Sequence, residues 1–326
     1  MVRLSKTLTI PRKPRIAISI GDPAGIGPEI ALKAACDVAV LRLCEPILVG
    51  SRALLERVAK KLRLQVPVNV IDPTPKFAAL RVIPGTVQAR NGAAAARWVE
   101  AGIDGCRDQT FAALVTCPLH KEALAAGGVP FPGHTELLAH RCGVSGEVMM
   151  MYDKKIAVVL ATIHQSLRSV PKSLTMKKII HSGELMAEAL RRLRSGPVRL
   201  AVLGLNPHAG ENGLFGDEDQ RIVAPAVAAL RKKGIACDGP LPSDTAFTPA
   251  NRKRYSGHVC CYHDQGLIPF KALAFDDGVN VTLGLPIIRT SVDHGTAFDI
   301  AWTGKATHRS LISAIRLAVK LTNVKS

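Results

Sequence analysis

The sequence predicts an α/β protein with a mostly parallel sheet. Short apolar runs typical of buried strands alternate with segments of helical periodicity along the 326-residue chain. Hydrophobic residues make up 47% of the chain and charged residues 21%, which is typical of a globular protein with a large core. No apolar run reaches the ~18 residues that a membrane-spanning helix needs.

The first strand–loop–helix unit covers residues 15–29. Residues 15–21 (RIAISIG) have a buried-strand pattern and lead into DPAGIGPE, where Pro28 suits the first helical position and Glu29 the positive end of the helix dipole. This loop does not match GxGxxG, so it is not a Rossmann fingerprint. The sequence is compatible with two roles for this loop, phosphate binding and a purely structural turn.

The following segments continue the alternation. Strands are predicted at residues 47–50, 68–72 and 111–116, with a helix capped by Ser51 and an alanine-rich helix over residues 91–105. A helix is predicted to begin at His134–Thr135–Glu136, where free backbone N–H groups can meet an anion.

The second half of the chain opens with a predicted hairpin that turns at residues 153–154. Helices are predicted over residues 176–194 and 218–233, and strands are predicted to end near His208 and at His263.

The charge and the cysteine content limit which functions and which compartments fit the sequence. The net charge is +17 at pH 7, but Lys and Arg are scattered and aromatic residues make up only 4%. Surface solvation is therefore preferred to nucleic-acid binding, which remains the alternative from another class. The eight cysteines include no CxxC pair, as expected of reduced thiols in a cytoplasmic protein. The basic N-terminal segment has no apolar core of a secretory signal and is predicted to be a frayed tail.

Residues 262–301 hold the densest set of polar side chains between apolar runs. Buried polar groups are costly unless they are paired, so this density indicates a ligand or a metal as the partner. An exposed hairpin with a solvated face is the alternative. The polar and charged residues of the stretch include His263, Asp264, Lys271, Asn280, Arg289, Asp293 and His294.

Three histidines share one topological position. His164, His208 and His263 each follow a buried apolar run, and ligands bind at the carboxyl edge of strands in open α/β sheets. Three imidazoles gathered there can hold one divalent cation, although each histidine alone also fits a structural role.

The chain resembles the 4-hydroxythreonine-4-phosphate dehydrogenase family of pyridoxal phosphate biosynthesis. The matching segments are GDPAGIGPE, FPGHTE, LNPHAGE, GPLPSDT, YHDQGLIPFK and GVNVTLGLPIIRTSVDHGTAFDIA. The resemblance implies a homodimer whose subunits share a metal site formed by His164, His208 and His263. It implies substrate contacts by His134, Thr135, Lys271, Asn280 and Arg289.

The wider kin of that family are isocitrate and isopropylmalate dehydrogenases, which have two α/β/α lobes around a cleft and no Rossmann domain. By this similarity, residues 1–125 completed by 286–326 form lobe 1. Residues 126–285 form lobe 2, with the metal and substrate residues and the dimer interface. The loop HGTAFDIA resembles their cofactor loop, so the expected cofactor residues are His294, Gly295 and Asp299.

Two positions depart from the family pattern. Trp302–Thr303 stands where such loops often have glycine followed by a basic residue, which leaves the pose of the cofactor open. Ser169 replaces an acidic residue often seen after the first histidine, which is a smaller departure.

The expected activity is oxidation of 4-phosphooxy-L-threonine by NAD or NADP with one divalent cation (Zn²⁺, Mg²⁺ or Co²⁺) per site. The 3-oxo acid product would decarboxylate to 3-amino-2-oxopropyl phosphate. Lys271, Asp244 and Asp264 are the candidate catalytic residues, although either aspartate fits a turn or cap equally well. The motifs do not separate this substrate from 4-phospho-D-threonate or 4-phospho-D-erythronate. A metal-dependent hydrolase is less consistent with the nucleotide loop.

Overall fold

A computed structural model describes residues 13–323, and within them eleven strands form one mixed sheet. The predicted N-terminal tail falls mainly in residues 1–12, outside the described residues. The strands are β1 Arg15–Ser19, β2 Glu45–Val49, β3 Val70–Ile71, β4 Ala113–Thr116, β5 Val148–Tyr152, β6 Ala157–Leu160, β7 Arg199–Leu203, β8 Ala236–Leu241, β9 Gly257–Cys260, β10 Val279–Leu283 and β11 Arg289–Val292.

The sheet has the order β3-β2-β1-β4-β11-β10-β5-β6-β9-β7-β8. Neighbours pair in parallel except that β10 is antiparallel to β11 and β5, and β5 is antiparallel to β6. The β5–β6 reversal follows from a tight turn in which the Asp153 side chain accepts the Lys155 N–H at 2.8 Å. The α/β class and the mostly parallel sheet are confirmed.

Helices cover both faces of the sheet. They are α1 Gly27–Ala35, α2 Val38–Leu43, α3 Arg52–Leu62, α4 Ala89–Arg107, α5 Lys121–Ala126, α6 His134–Cys142, α7 Val170–Ser173, α8 Met176–Leu193, α9 Ala224–Lys232, α10 Ser243–Ala246, α11 Pro249–Arg254, α12 His263–Ala274 and α13 Arg309–Thr322. Short 3₁₀ turns lie at Ala79–Arg81, Leu167–Ser169 and Phe298–Ile300.

Local sequence signals explain several of these ends. Pro28 lies in the first turn of α1, and the Ser51 hydroxyl accepts the Leu54 N–H at the start of α3. Glu29 does more than complement the helix dipole: its buried carboxylate accepts the N–H groups of Gly304 and Ala306. This contact fixes the segment that follows the predicted cofactor loop against α1.

Several elements differ from the sequence predictions. The third strand is only Val70–Ile71, shorter than the five residues predicted, because it is an edge strand paired on one side. The helix predicted over residues 218–233 begins with a π-helical turn, Asp219–Val223. The polar stretch of residues 262–301 begins with a helix, α12, that was not predicted from the sequence. Pro269 lies inside this helix.

The strands divide by chain segment along the sheet order. Those from residues 15–116 and 289–292 occupy one half, and those from residues 148–283 occupy the other. All eight cysteine thiols are free. No helix in residues 13–323 has the length and apolar character needed to cross a membrane.

Candidate active site

The three strand-end histidines follow three neighbouring strands. β6, β9 and β7 are adjacent and mutually parallel, so their carboxyl ends lie at one edge of the sheet. His164 follows β6, His263 follows β9 at the first position of α12, and His208 follows β7. The sheet topology thus brings three imidazole-bearing segments to one edge.

Two of these imidazoles are neighbours. The ring centroids of His164 and His263 are 5.6 Å apart. With metal–nitrogen bonds of roughly 2.0–2.1 Å, two rings on one tetrahedral or trigonal cation would have centroids roughly 5.2–5.5 Å apart. His263 Nδ1 is 2.7 Å from Asp264 Oδ1, and an Nδ1–H donated there leaves Nε2 free to coordinate. This pair fits a shared divalent cation.

His208 does not join the pair within one chain. Among residues 13–323 no group of three His, Cys, Asp or Glu side chains is close enough to hold a metal ion. The His208 side chain is exposed, and its ring centroid lies 6.0 Å from that of Phe215. Within the described residues, His208 is therefore separate from the His164–His263 pair.

The His208 segment has an unusual backbone. Pro207–Gly213 forms a turn in which five consecutive residues, from His208 (φ 52°) to Asn212 (φ 56°), are left-handed, and only Gly210 among them is glycine. The left-handed conformation costs roughly 1–2 kcal/mol for each non-glycine residue. His164 also has a positive φ, 34°. Such backbone strain is concentrated at functional sites.

Arg289 is a buried cation without an acid. Its side chain is on β11, 2% exposed, with Nη1 donating to Thr282 Oγ1 at 2.9 Å and Nη2 to Thr116 Oγ1 at 2.8 Å. Among residues 13–323, Nε has no hydrogen-bond partner and the guanidinium forms no ion pair with a carboxylate. Burial lowers the pKa of Arg289 to about 9, so it remains charged at neutral pH. An anionic ligand would offset the desolvation of this buried charge.

His134 lies beside this cation. It begins α6, and burial together with the neighbouring Arg289 charge holds the pKa of His134 well below its usual range, opposed by a hydrogen bond with the Cys117 backbone. The ring is therefore neutral at pH 7. His134 Nε2 is buried without a hydrogen-bond partner. Two unsatisfied polar nitrogens thus lie in one region.

A cavity of about 210 Å³ connects several predicted residues. Its lining includes the predicted substrate residues His134, Thr135, Asn280 and Arg289, the predicted metal ligand His164, and the predicted cofactor residues His294 and Gly295. A larger cavity, about 760 Å³, lies near Lys13, Arg15 and Glu45 and includes no predicted site residue. We assign the smaller cavity as the candidate site because its lining carries the chemistry.

The remaining predicted residues do not line this cavity. Lys271 is exposed on α12, and its Nζ is 3.1 Å from Asp293 Oδ2. Asp244 is exposed in the first turn of α10, and Asp264 is exposed beside His263. His263 itself borders the site through its contact with His164.

The predicted cofactor loop folds against the first loop of the chain. The Ile26 N–H donates to Thr296 O at 3.0 Å, and a Cβ on Gly25 would lie 2.9 Å from the same oxygen. A Cβ on Gly295 would meet no atom within 4 Å, so its backbone is open to a ligand. Asp299 is exposed. An open glycine and an accessible carboxylate fit a dinucleotide, whose ribose hydroxyls need an acceptor.

The two departures from the family pattern have structural roles. Trp302 is buried; its indole N–H donates to Pro23 O at 3.1 Å, and the guanidinium of Arg57 lies 5.0 Å from its ring centroid. Trp302 therefore anchors the end of the cofactor loop. The Ser169 hydroxyl donates to Ser166 O at 2.7 Å within a 3₁₀ turn.

Several lining residues were not predicted. Thr116 and Ser291 line the cavity, and Thr116 and Thr282 hold the guanidinium of Arg289. Thr116 ends the apolar run of β4, so its position at a strand end was the available signal. Lys121 adds a second cation to the lining.

Comparisons with known proteins identify a family. Residues 42–318 match the family model described as "Pyridoxal phosphate biosynthetic protein PdxA". The chain is 45% identical over 326 residues to a 4-hydroxythreonine-4-phosphate dehydrogenase of Desulfosudis oleivorans, covering 94% of this chain and 96% of that relative.

Solved structures agree with this result. The crystal structure of 4-hydroxythreonine-4-phosphate dehydrogenase from Klebsiella pneumoniae matches with a TM-score of 0.87 and 43% identity, covering 95% of this chain and 98% of that chain. A terephthalate 1,2-cis-dihydrodiol dehydrogenase from Burkholderia xenovorans LB400 matches with a TM-score of 0.70 and 31% identity, with coverage of 95% and 98%.

Proposed function

The chain belongs to the PdxA family and is a dehydrogenase of a secondary alcohol, and we propose that its substrate is 4-phosphooxy-L-threonine. The secondary hydroxyl is oxidised to a ketone, the hydride passes to NAD or NADP, and the hydroxyl proton is released. The resulting 3-oxo acid loses carbon dioxide to give 3-amino-2-oxopropyl phosphate. The observation that carries the proposal is the position of Arg289. Its buried guanidinium forms no ion pair with a carboxylate among the described residues, and it lines the same cavity as His164.

Arg289 and His134 would bind the phosphate. A phosphate monoester carries close to two negative charges at neutral pH, which offset the desolvation of a buried guanidinium. The free Nε of Arg289 and the neutral ring of His134 supply unsatisfied polar nitrogens, while Thr135 lies in the first turn of α6. Asn280 adds an amide to the same lining. Binding of phosphate would raise the pKa of Arg289 back toward its usual value.

His164 and His263 would hold a divalent cation, with His208 of a second subunit as the third ligand. Imidazole ligands suit Zn²⁺ and Co²⁺ better than Mg²⁺. Bound there, the cation would polarise the substrate's secondary hydroxyl and lower its pKa. A hydrogen bond donated by His263 Nδ1 to Asp264 would leave Nε2 as the coordinating nitrogen.

His294, Gly295 and Asp299 would bind the dinucleotide, which accepts the hydride. An aspartate that accepts both ribose hydroxyls favours NAD over NADP. Lys271, Asp244 and Asp264 are the candidates for moving the hydroxyl proton.

A homodimer with a shared site is supported by the exposed apolar residues near the three histidines. Each histidine segment carries large apolar side chains that are mostly exposed in the single chain. They are Leu167 (69% exposed), Leu214 (74%), Ile268 (68%) and Phe275 (73%). Exposed apolar side chains on all three histidine segments favour an interaction surface there, and a second copy covering them would bring a partner histidine toward the site.

Each half of the sheet is formed by strands from the chain segments expected for one lobe. We therefore propose that residues 1–125 together with 286–326 form lobe 1, and that residues 126–285 form lobe 2. Eight free thiols favour a reducing compartment such as the cytoplasm.

The substrate assignment is tested by NADH formation, read as absorbance, with a panel of hydroxy acids. The panel contains 4-phosphooxy-L-threonine, 4-phospho-D-threonate, 4-phospho-D-erythronate and a carboxylated cis-dihydrodiol, each assayed with dialysed enzyme before and after addition of Zn²⁺, Mg²⁺ or Co²⁺. We expect the highest kcat/KM for 4-phosphooxy-L-threonine, and only with metal. Higher kcat/KM for either sugar-acid phosphate would move the assignment to that substrate, and activity on the diol alone would reject phosphate recognition.

A further inference from the structure

The left-handed turn Pro207–Gly213 is held internally by a few backbone hydrogen bonds. Ala209 N donates to Asn206 O at 3.1 Å, Leu214 N to Glu211 O at 3.2 Å and Phe215 N to Gly210 O at 3.2 Å, while most of its side chains are exposed. Four non-glycine residues in a left-handed conformation favour rearrangement to a relaxed loop. The direction of the His208 side chain therefore depends on contacts from outside the turn.

Asp219 supplies such contacts. It begins the π-helical turn after the loop and is 0% exposed. Its Oδ1 accepts the Leu205 N–H at 2.7 Å, and its Oδ2 accepts the Asn206 N–H at 3.0 Å. Both carboxylate oxygens thus bind the two residues that lead into Pro207.

The turn also packs closely on this carboxylate. A Cβ on Gly204 would lie 2.9 Å from Asp219 Oδ1 and 2.8 Å from Ala209 Cα. A Cβ on Gly210 would lie 3.3 Å from Asp219 Oδ2. The left-handed residues therefore pack closely against the Asp219 carboxylate and the end of β7. No space is left there for a methyl group added at Gly204 or Gly210.

Gln265 fixes the same segment from the His263 side. Its Nε2 donates to Gly204 O at 2.6 Å, and its Oε1 accepts the Cys261 N–H at 2.6 Å. Gln265 lies two residues after His263 in α12. The entry to the left-handed turn is consequently tied both to Asp219 and to the helix that carries another proposed ligand.

We propose that Asp219 is a positioning residue that directs His208 toward the divalent cation and thereby sets the affinity of the site for metal. This rests on the proposed function, in which His208 is a ligand. Asp219 touches neither substrate nor cation. Its carboxylate keeps the strained turn in the conformation that presents the imidazole, as outer partners of metal ligands commonly do.

The test is direct binding of Co²⁺ alone to the dialysed full-length protein, measured by titration and by the visible absorption of the bound ion. Asp219→Asn preserves the size of the side chain, but the NH₂ group of the new amide replaces one oxygen that accepts a backbone N–H. Two hydrogen-bond donors would then face each other. We expect the dissociation constant for Co²⁺ to rise about 10–100-fold and the absorption spectrum to change, with the far-ultraviolet circular dichroism unchanged.

Gly204→Ala is an independent variant, because it disturbs the same contact while the carboxylate and its hydrogen-bond donors remain. It should also weaken Co²⁺ binding. Glu29→Gln is the matched control: it alters another buried carboxylate that accepts two backbone N–H groups, far along the sheet from the histidines. We expect a lower melting temperature but a wild-type Co²⁺ dissociation constant for Glu29→Gln.

His208→Ala separates the two levels of the proposal. Weak Co²⁺ binding by His208→Ala together with wild-type binding and spectra for both Asp219→Asn and Gly204→Ala would overturn the positioning role alone. Wild-type Co²⁺ binding by His208→Ala would overturn the ligand assignment and the positioning role together. Weak binding by all three variants, with the Glu29→Gln control normal, is the result expected here.

Discussion

Replacing Arg289 by lysine should impair recognition of the phosphorylated substrate even though the positive charge is retained. The guanidinium uses Nη1 and Nη2 for Thr282 and Thr116, which leaves Nε for a ligand. A lysine has one nitrogen, so it must abandon either a threonine or the phosphate. Loss of one charge-assisted contact costs about 2–4 kcal/mol, or roughly thirty- to a thousandfold in kcat/KM.

The assay compares Arg289→Lys with wild type on 4-phosphooxy-L-threonine and on the same compound without its phosphate. We expect the loss in kcat/KM only with the phosphorylated compound, while the metal content stays unchanged. Arg199→Lys is the control, because Arg199 forms a bidentate ion pair with Asp238 at the opposite end of β7 from the His208 turn. Equal loss on both substrates would refute the phosphate assignment and indicate a structural or carboxylate-binding role for Arg289.

Three further predictions concern Arg289, the buried Asp22 in the loop after β1, and the shared histidines. Because the pKa of Arg289 in the free protein is about 9, kcat/KM for the phosphorylated substrate should fall as pH rises through that value, and a profile flat to pH 10 would argue against a role for this cation. Burial raises the pKa of Asp22 to about 6 from 3.8, so the folded state holds a proton between pH 4 and 6 that the unfolded state has lost, and stability falls as pH rises through this window. Asp22→Asn should therefore gain up to about 3 kcal/mol in unfolding free energy relative to wild type between pH 4 and 7.5, measured by urea denaturation; a pH-independent difference would contradict this. Mixing inactive His208→Ala and His263→Ala subunits should restore activity in heterodimers, because one of the two shared sites then has all its ligands; heterodimers without activity would mean that each site is built within one chain.

Much of the fold follows from local sequence signals. β1 and β4 are apolar runs with buried positions throughout their interiors, and the start of α3 follows from the Ser51 cap. α12 was not identified because Pro269 interrupts its helical pattern and polar residues occupy its first turn. There, tertiary packing of Leu267 and Phe270 in the core overrides the local signal.

The sequence named candidate residues for the site but not their arrangement. Strand ends indicated His164, His208 and His263, and the resemblance supplied roles for Arg289 and His134. The left-handed turn at His208 could not be read from the sequence, because four of its five left-handed residues are not glycine and the segment leading into it is bound by Asp219, eleven residues after His208. The setting of Arg289 likewise depends on β4, which is distant in sequence and supplies Thr116, as well as on the neighbouring strand β10.

We propose that this site oxidises 4-phosphooxy-L-threonine and releases its carboxylate carbon. The most direct measurement is the stoichiometry of NADH and carbon dioxide formed when a limiting amount of this substrate is consumed by metal-loaded enzyme with excess NAD. We expect equimolar NADH and carbon dioxide per substrate, with neither formed by the metal-depleted enzyme. Consumption of the substrate without NADH, or with release of inorganic phosphate in place of NADH, would contradict the proposed reaction.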